Sequence, residues 1–487
     1  MKPMTILARI WSNWLTLLGA TIGAAAGAAI VLLLAFEFIA GRTNPYATTL
    51  LVLILPSIFL GGLFLAVGGL VFEWRRRKRG EAPDGSTFEL FRAVTENPRA
   101  RGLIRFFAVA AVGSIGVIGI GSNQAITYMD SPKFCGTTCH VQMKPEWTSY
   151  QNAKHSHVAC VECHIGKGAS WEAKSKVEGV SQVWHVVTGT YEHPIPTPIA
   201  HLRSARDTCE RCHWPEQFIG NRLHVFPHFL PDEKNTPSYD VFVMRIGGRN
   251  ARTGEYEGIH WHVGHDAQVR FQYYDAAQTK IGEITVVEGG KVVAAYGPPD
   301  KLKALPVLGE RTMDCIDCHN RPTHVFDASP RAAVDRVMAA GRLDSKTPWL
   351  AKASAAVLSE KSIPAGADAR WFRSALADAY AKDWPAVKPS PSSLDQAAAT
   401  LTGVYASDIF PTMGVSWGTH RSHLGHANDY DDAPEYGCFR CHDGDRTKTM
   451  PDGTKVALDQ DCDKCHDAIA GGEDPATFDP QIKELLP

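Results

Sequence analysis

The sequence predicts a two-part chain. A membrane anchor of three α-helices comes first, followed by a larger exterior unit of short helices and loops with a small β insertion. Three observations predict it. Three uncharged apolar runs lie near the N-terminus, the charge splits between a basic start and an acidic remainder, and the 12 cysteines form six close pairs. The composition is otherwise ordinary for a folded protein, 44% apolar and 21% charged, which excludes disordered and collagen-like chains. A net charge of −2 argues against a nucleic-acid partner.

The apolar runs span residues 15–36, 47–72 and 106–126, of 22, 26 and 21 residues. At about 1.5 Å per residue, each is long enough for a hydrocarbon core of about 30 Å. The first run follows Lys2 and Arg9 and could be a signal peptide, but its length favours an uncleaved helix. Residues 1–105 carry a net +6 and the rest a net −8. The 73–105 loop holds nine of the basic residues, and the loop between the first two runs holds only Arg42. The positive-inside rule then puts the basic loop in the cytoplasm and everything after residue 127 outside. Gly19, Gly23 and Gly27 recur every fourth residue, a spacing that lets two helices of one bundle approach closely. No histidine precedes His140, so residues 1–127 form a haem-free anchor.

The cysteine pairs carry the chemistry. Five read Cys-x-x-Cys-His: Cys160/Cys163/His164, Cys209/Cys212/His213, Cys315/Cys318/His319, Cys438/Cys441/His442 and Cys462/Cys465/His466. Two thiols at this spacing reach the two vinyl groups on one porphyrin edge, and the next residue offers an imidazole to the iron. This is the c-type haem attachment signature, and a zinc site rarely repeats the histidine at that offset. The first pair, Cys135 and Cys139 before His140, has three intervening residues. A disulfide or a metal site is its alternative reading, and five regular motifs after it favour haem. The chain thus predicts a multihaem cytochrome c with six covalently bound haems and no cysteine left over.

Fourteen further histidines offer second axial ligands. His155 and His157 precede the second motif, and His324 follows the fourth. His420, His423 and His426 step by three, as along one helix face. His260, His262 and His265 lie in a strand-like stretch, with a separate metal site as one reading. Met143 follows His140 by three, and a thioether ligand there would raise the haem potential.

These motifs resemble those of the NapC/NirT family of membrane-anchored multihaem cytochromes c, which includes the NrfH type. The resemblance covers roughly residues 105–325. An apolar run ends shortly before the first motif, and a methionine follows that motif. Lys174-Ser-Lys176 lies between the second motif and Thr188-Gly189-Thr190-Tyr191, and the fourth motif continues as Asn-Arg-Pro-Thr-His324. The resemblance implies quinol oxidation near the first haem and electron delivery to periplasmic partners. It implies Met143 as a ligand of the first haem, His155 and His324 as distal ligands, and Lys174 or Lys176 near the quinol. This chain departs from the family pattern in four ways. The first motif and its methionine offset are each one residue longer, there are three apolar runs instead of one, about 100 residues separate the third and fourth motifs, and two more motifs follow.

The exterior is expected as a tetrahaem domain over 128–326, with a β insertion at about 231–305 where apolar and polar residues alternate between Gly-Gly turns. Residues 327–487 are expected to begin as a helical segment, broken at Pro348, Pro364 and a proline cluster at 385–391, and to end in a dihaem extension. The tail 429–487 has a net charge of −9, suited either to a solvated surface or to docking a basic electron carrier. The sequence therefore points to a quinol dehydrogenase in a bacterial cytoplasmic membrane. It would draw on the membrane quinol pool and feed a periplasmic electron-accepting protein, itself a cytochrome. A relay attached to a membrane partner subunit and a haem-based terminal reductase are the alternatives.

Overall fold

The computed structural model describes residues 14–40, 54–79, 98, 121, 123–138, 141–199, 202–214, 218–250, 252–426, 436–473 and 477–484. Two units divide the chain at Phe134/Cys135. In the first, α1 (Trp14–Ala40) packs on α2 (Leu55–Lys78). A Cβ on Gly19 would lie 2.6 Å from the Gly62 carbonyl oxygen, and one on Gly62 would lie 2.6 Å from the Gly23 nitrogen. The glycine repeat is therefore taken up inside this helix pair, where only a missing side chain lets the two backbones meet.

The expected three-helix membrane anchor is overturned. Among the described residues, no helix is long and apolar enough to cross a membrane. Freedom from charge is a weaker property than apolarity. Eleven of the 27 residues of α1 are glycine or alanine, and α2 ends in the basic run Arg75 to Lys78. Most of the third run and nearly all of the 80–105 loop lie outside the described residues. The β content also exceeds a small insertion, because the chain forms several sheets.

A short helix α3 (Pro132–Thr137) carries Cys135. The second unit continues through α4 (Lys144–Gln151), α5 (Cys160–His164), α6 (Ala169–Thr188) and α7 (Ala205–Cys209). Gly189, at φ +66°, ends α6 in the left-handed conformation that glycine adopts without strain. Between residues 141 and 214, the buried apolar side chains are only those of Pro145, Tyr150 and Ala205 among the described residues.

The β-rich part follows. β1 (Arg222–Phe229) pairs antiparallel with β2 (Pro237–Met244), with Arg222 opposite Met244. The short pair β3 (Gly248–Arg249) and β4 (Tyr256–Glu257) leads into a 3-10 turn, Ile259–Val263. β5 (Ala267–Tyr273), β6 (Ile281–Glu288), β7 (Lys291–Tyr296) and β8 (Gly309–Thr312) form one antiparallel sheet in the order β7-β6-β5-β8. Val269, Phe271, Ile281, Ile284 and Met313 make its core. β8 runs almost directly into α8 (Cys315–Cys318), so the sheet edge fixes the fourth motif.

Four helices then build an apolar bundle: α9 (Pro330–Ala339), α10 (Leu350–Leu358), α11 (Ala369–Asp383) and α12 (Pro391–Asp408). Pro348, Pro364 and Pro385 lie between them. Ser329, Asp368 and Ser390 each accept a backbone N–H at the helix start, and Pro330 and Pro391 take first-turn positions where no N–H is needed. Val334, Val337, Leu350, Leu358, Phe372, Leu376 and Leu401 fill its centre. The tail adds β9 (Thr447–Thr449), β10 (Lys455–Ala457), β11 (His466–Glu473) and α13 (Pro480–Lys483). β11 pairs with the free side of β2, with His466 opposite Met244.

Candidate haem and electron-transfer site

The second and fourth motifs hold both cysteines on one short helical turn, the fifth and sixth begin on a 3-10 turn capped by the second cysteine, and the third begins at the end of α7 and continues in a turn. α8 shows how such a turn is held. Asp314 accepts from Ile316 N at 3.1 Å, and Asp317, inside the motif, accepts from Asp314 N at 2.7 Å. This reciprocal cap satisfies donors that a four-residue helix cannot satisfy itself. Desolvation raises the Asp317 carboxyl to about 6, opposed by Arg311.

Successive motifs lie near one another in chain order. Cys135 and Cys160 share a thiol hydrogen bond, as do Cys209 and Cys315. Cys163 has Cys209 and Cys212 as electrostatic neighbours, Cys318 has Cys438 and Cys441, and Cys465 has Cys438. Motifs one to six thus follow one another in single file. Cys139 and His140, which complete the first motif, lie outside the described residues.

Five motif histidines each face a second imidazole. The ring centroids are 6.3 Å apart for His164 and His324, 6.0 Å for His213 and His155, and 6.4 Å for His319 and His260. They are 6.0 Å apart for His442 and His262, and 6.2 Å for His466 and His426. Two imidazoles sharing one metal at bonds of about 2 Å put their centroids roughly 6.3 Å apart. Five of these ten rings also have Nδ1 committed to a carbonyl oxygen: His155 to Pro322, His260 to Ile246, His262 to Ile259, His324 to Glu146 and His442 to Asp459. That bond puts the proton on Nδ1 and leaves Nε2 as the donor lone pair, the orientation typical of a ligating histidine. Desolvation pushes His324 down to about 4, with His164 adding to it. It is therefore neutral at pH 7, as a ligand must be.

The other sequence candidates fall as follows. His420 lies against Phe326, and Arg321 donates to its Nδ1 at 2.7 Å, which puts its proton on Nε2. His423 has Nδ1 on the Asp317 carbonyl at 3.2 Å. Burial pushes both to about 4. Residues 420–426 are turn and irregular backbone, so the three-residue step of these histidines does not lie on a helix. His260 and His262 lie on a 3-10 turn instead of a strand, and His265 turns away to Arg206 at 3.4 Å. Met143 stands immediately before α4. Lys174 and Lys176 lie on α6, with Lys174 paired to Glu178 at 3.7 Å and 5.0 Å from the Trp171 ring. The same helix exposes Val177, Val180, Trp184 and Val187, one apolar face at helical spacing. Sequence reasoning did not pair His260 or His262 with a motif histidine, and it grouped His426 with His420 and His423 as candidate ligands without naming its motif. Local spacing carried no signal of these pairings, because partners 40 or more residues apart meet only through the fold.

Residues 99–196 match the N-terminal region model of the NapC/NirT cytochrome c family. The chain is also 35% identical over 469 residues to the cytochrome c-type protein ImcH of Geobacter sulfurreducens, covering 94% of this chain and 88% of that one. The chain belongs to the NapC/NirT family. No solved structure matches it. Membership makes it a membrane-associated multihaem cytochrome of electron transfer with covalently bound haem c, and the family as a whole works between the quinol pool and redox-partner cytochromes. The thiol pairs and facing imidazoles are a donor set that fits haem c.

Proposed function

We propose that the protein is a six-haem quinol dehydrogenase of the bacterial cytoplasmic membrane, delivering electrons to a periplasmic cytochrome. The observation that carries this reading is the single file of motifs, each with its cysteines beside those of the next. A catalytic pocket would need one motif set apart, whereas a file suits transfer from one end to the other. Haem c, when bound, supplies storage of one electron at a time, with its potential set by the axial ligands.

The chain's own residues have distinct tasks in this reading. The six cysteine pairs, from Cys135 and Cys139 to Cys462 and Cys465, attach the haems, and the following histidines bind the irons. Met143 ligates at the first motif. His324, His155 and His426 complete the second, third and sixth sites, supported by ring separations of 6.3, 6.0 and 6.2 Å. Lys174 and Lys176 orient the quinol head group on α6, whose exposed apolar face suits an interfacial position. Oxidation of one quinol gives one quinone, two protons and two electrons. The acidic tail, net −9, docks a basic periplasmic carrier.

Purified full-length protein mixed with a menaquinol or ubiquinol analogue should show reduction of its haem absorption bands. The paired change Lys174→Gln and Lys176→Gln should slow that reduction roughly tenfold, about 1.4 kcal/mol. Protein carrying six haems that stays oxidised with both analogues would sink the proposal.

A further inference from the structure

The turn Ile259–Val263 presents residues to two motifs at once. It begins after Gly258, at φ +62°, and its first two N–H groups donate to the Arg245 and Ile246 carbonyls at 2.9 and 3.1 Å. At three residues per turn, positions two apart point about 120° away from each other. His260 and His262 therefore diverge, and Trp261 between them packs into the β5–β6 core. The His260 ring lies 6.4 Å from that of His319, with the planes 6° apart. The His262 ring lies 6.0 Å from that of His442, with the planes 79° apart. Each keeps Nδ1 on a carbonyl of the insertion, Ile246 at 3.1 Å or Ile259 at 2.8 Å, and so turns Nε2 outward.

The surroundings hold both motifs to this turn. Arg440, inside the fifth motif, donates to the Asp317 carbonyl of the fourth motif at 2.5 Å and to the Gln278 carbonyl of the insertion at 3.0 Å. Arg446, 1% exposed, donates to the Ile281 carbonyl at 2.6 Å and to that of Gly282. Motif four, motif five and the β insertion are thus tied by buried guanidinium groups, and losing one would leave buried carbonyls unpaired.

We propose that His260 and His262 are the second axial ligands of the haems on the fourth and fifth motifs. The β insertion then joins the family-like haem segment to the C-terminal pair. The assignment rests on the six-haem reading above and adds the insertion as a coordinating element. His265, the third histidine of the triplet, takes no part.

The test uses the full-length holoprotein in the variants His260→Gly, His262→Gly and His265→Gly. Haem content is measured by pyridine haemochrome and peptide mass mapping, and spin state by electron paramagnetic resonance. His260→Gly and His262→Gly should each convert one haem of the six from low spin to high spin, with added imidazole restoring low spin. His265→Gly should leave the spectrum unchanged. Should either glycine variant fail to accumulate, His260→Met and His262→Met serve in its place, and each should raise one midpoint potential. Variants with full haem content, low-spin spectra and unmoved potentials would overturn the assignment alone. Wild-type protein lacking haem on the fourth and fifth motifs would overturn this assignment and the six-haem reading together.

Discussion

The helical bundle at 330–408 and the motif-bearing stretches at 141–214 and 436–466 are parts of one unit built on different principles. The bundle buries Val334, Val337, Leu350, Phe372, Leu376 and Leu401 at 0% exposure. The first motif-bearing stretch buries only Pro145, Tyr150 and Ala205 as apolar residues, and the second buries no apolar side chain among the described residues. Ordering a residue costs about 1–2 kcal/mol in backbone entropy, and apolar burial returns about 25 cal/mol per Å². The bundle meets that cost with its own side chains. The motif stretches do not, and their order depends on flat apolar groups attached to the chain.

The largest effect should come from leaving those groups out. Protein produced without haem attachment should lose amide-exchange protection across 144–213 and 436–466 and keep it in α10, α11 and α12. Equal loss in both regions would break the contrast, since it would mean that the bundle also needs the haems.

A smaller effect sharpens it from the other side. Phe372 is fully buried in the bundle and meets Tyr405 at 5.8 Å between ring centroids. Phe372→Ala should cost about 3–5 kcal/mol of bundle stability. Urea unfolding followed by circular dichroism measures it, and the haem absorption spectrum at low urea should match wild type. A changed haem spectrum would show that bundle packing reaches the motifs.

The same contrast governs what could be read from the sequence. The motif positions were legible because attachment chemistry is local: two thiols and an imidazole within five or six residues. Helix ends in the bundle were legible for a related reason. Pro348 and Pro364 stand between helices, through the conformations proline permits, whereas Pro391, expected as part of a breaking cluster, instead opens α12 behind Ser390. Long-range partners were not legible. His324 was reached through a family pattern, but His260 and His262 meet their motif histidines only once β8, the 3-10 turn and the buried Arg440 are in position. The pairing of β11 with β2 joins residues more than 200 positions apart, and no local periodicity records it. The anchor misled for a different reason: the runs were judged by their lack of charge, and α1 is rich in glycine and alanine.

The mildest prediction lies at the seam between the two regions. Asp408, the last residue of α12, accepts from Asp327 N at 2.8 Å and from Ser407 Oγ at 2.7 Å. Asp327 follows the fourth motif and is itself clasped by Arg336, with Nε to Oδ1 at 3.0 Å. Burial raises Asp408 to about 6, and the Asp327 carboxylate adds to the rise. The folded state thus favours the protonated acid. Its contribution is fully present below the unfolded value near 4 and is lost as pH rises through about 6. A rise from near 4 to about 6 corresponds to about 2–3 kcal/mol. The bundle's unfolding free energy from urea titration should therefore fall between about pH 4 and about pH 8 by an amount within that range. Asp408→Asn keeps an acceptor for Asp327 N, cannot ionise, and should remove that fall. The two pH profiles differ only if this carboxyl titrates at the seam, so matching profiles for Asp408→Asn and wild type would mean that the bundle ends independently of the fourth motif.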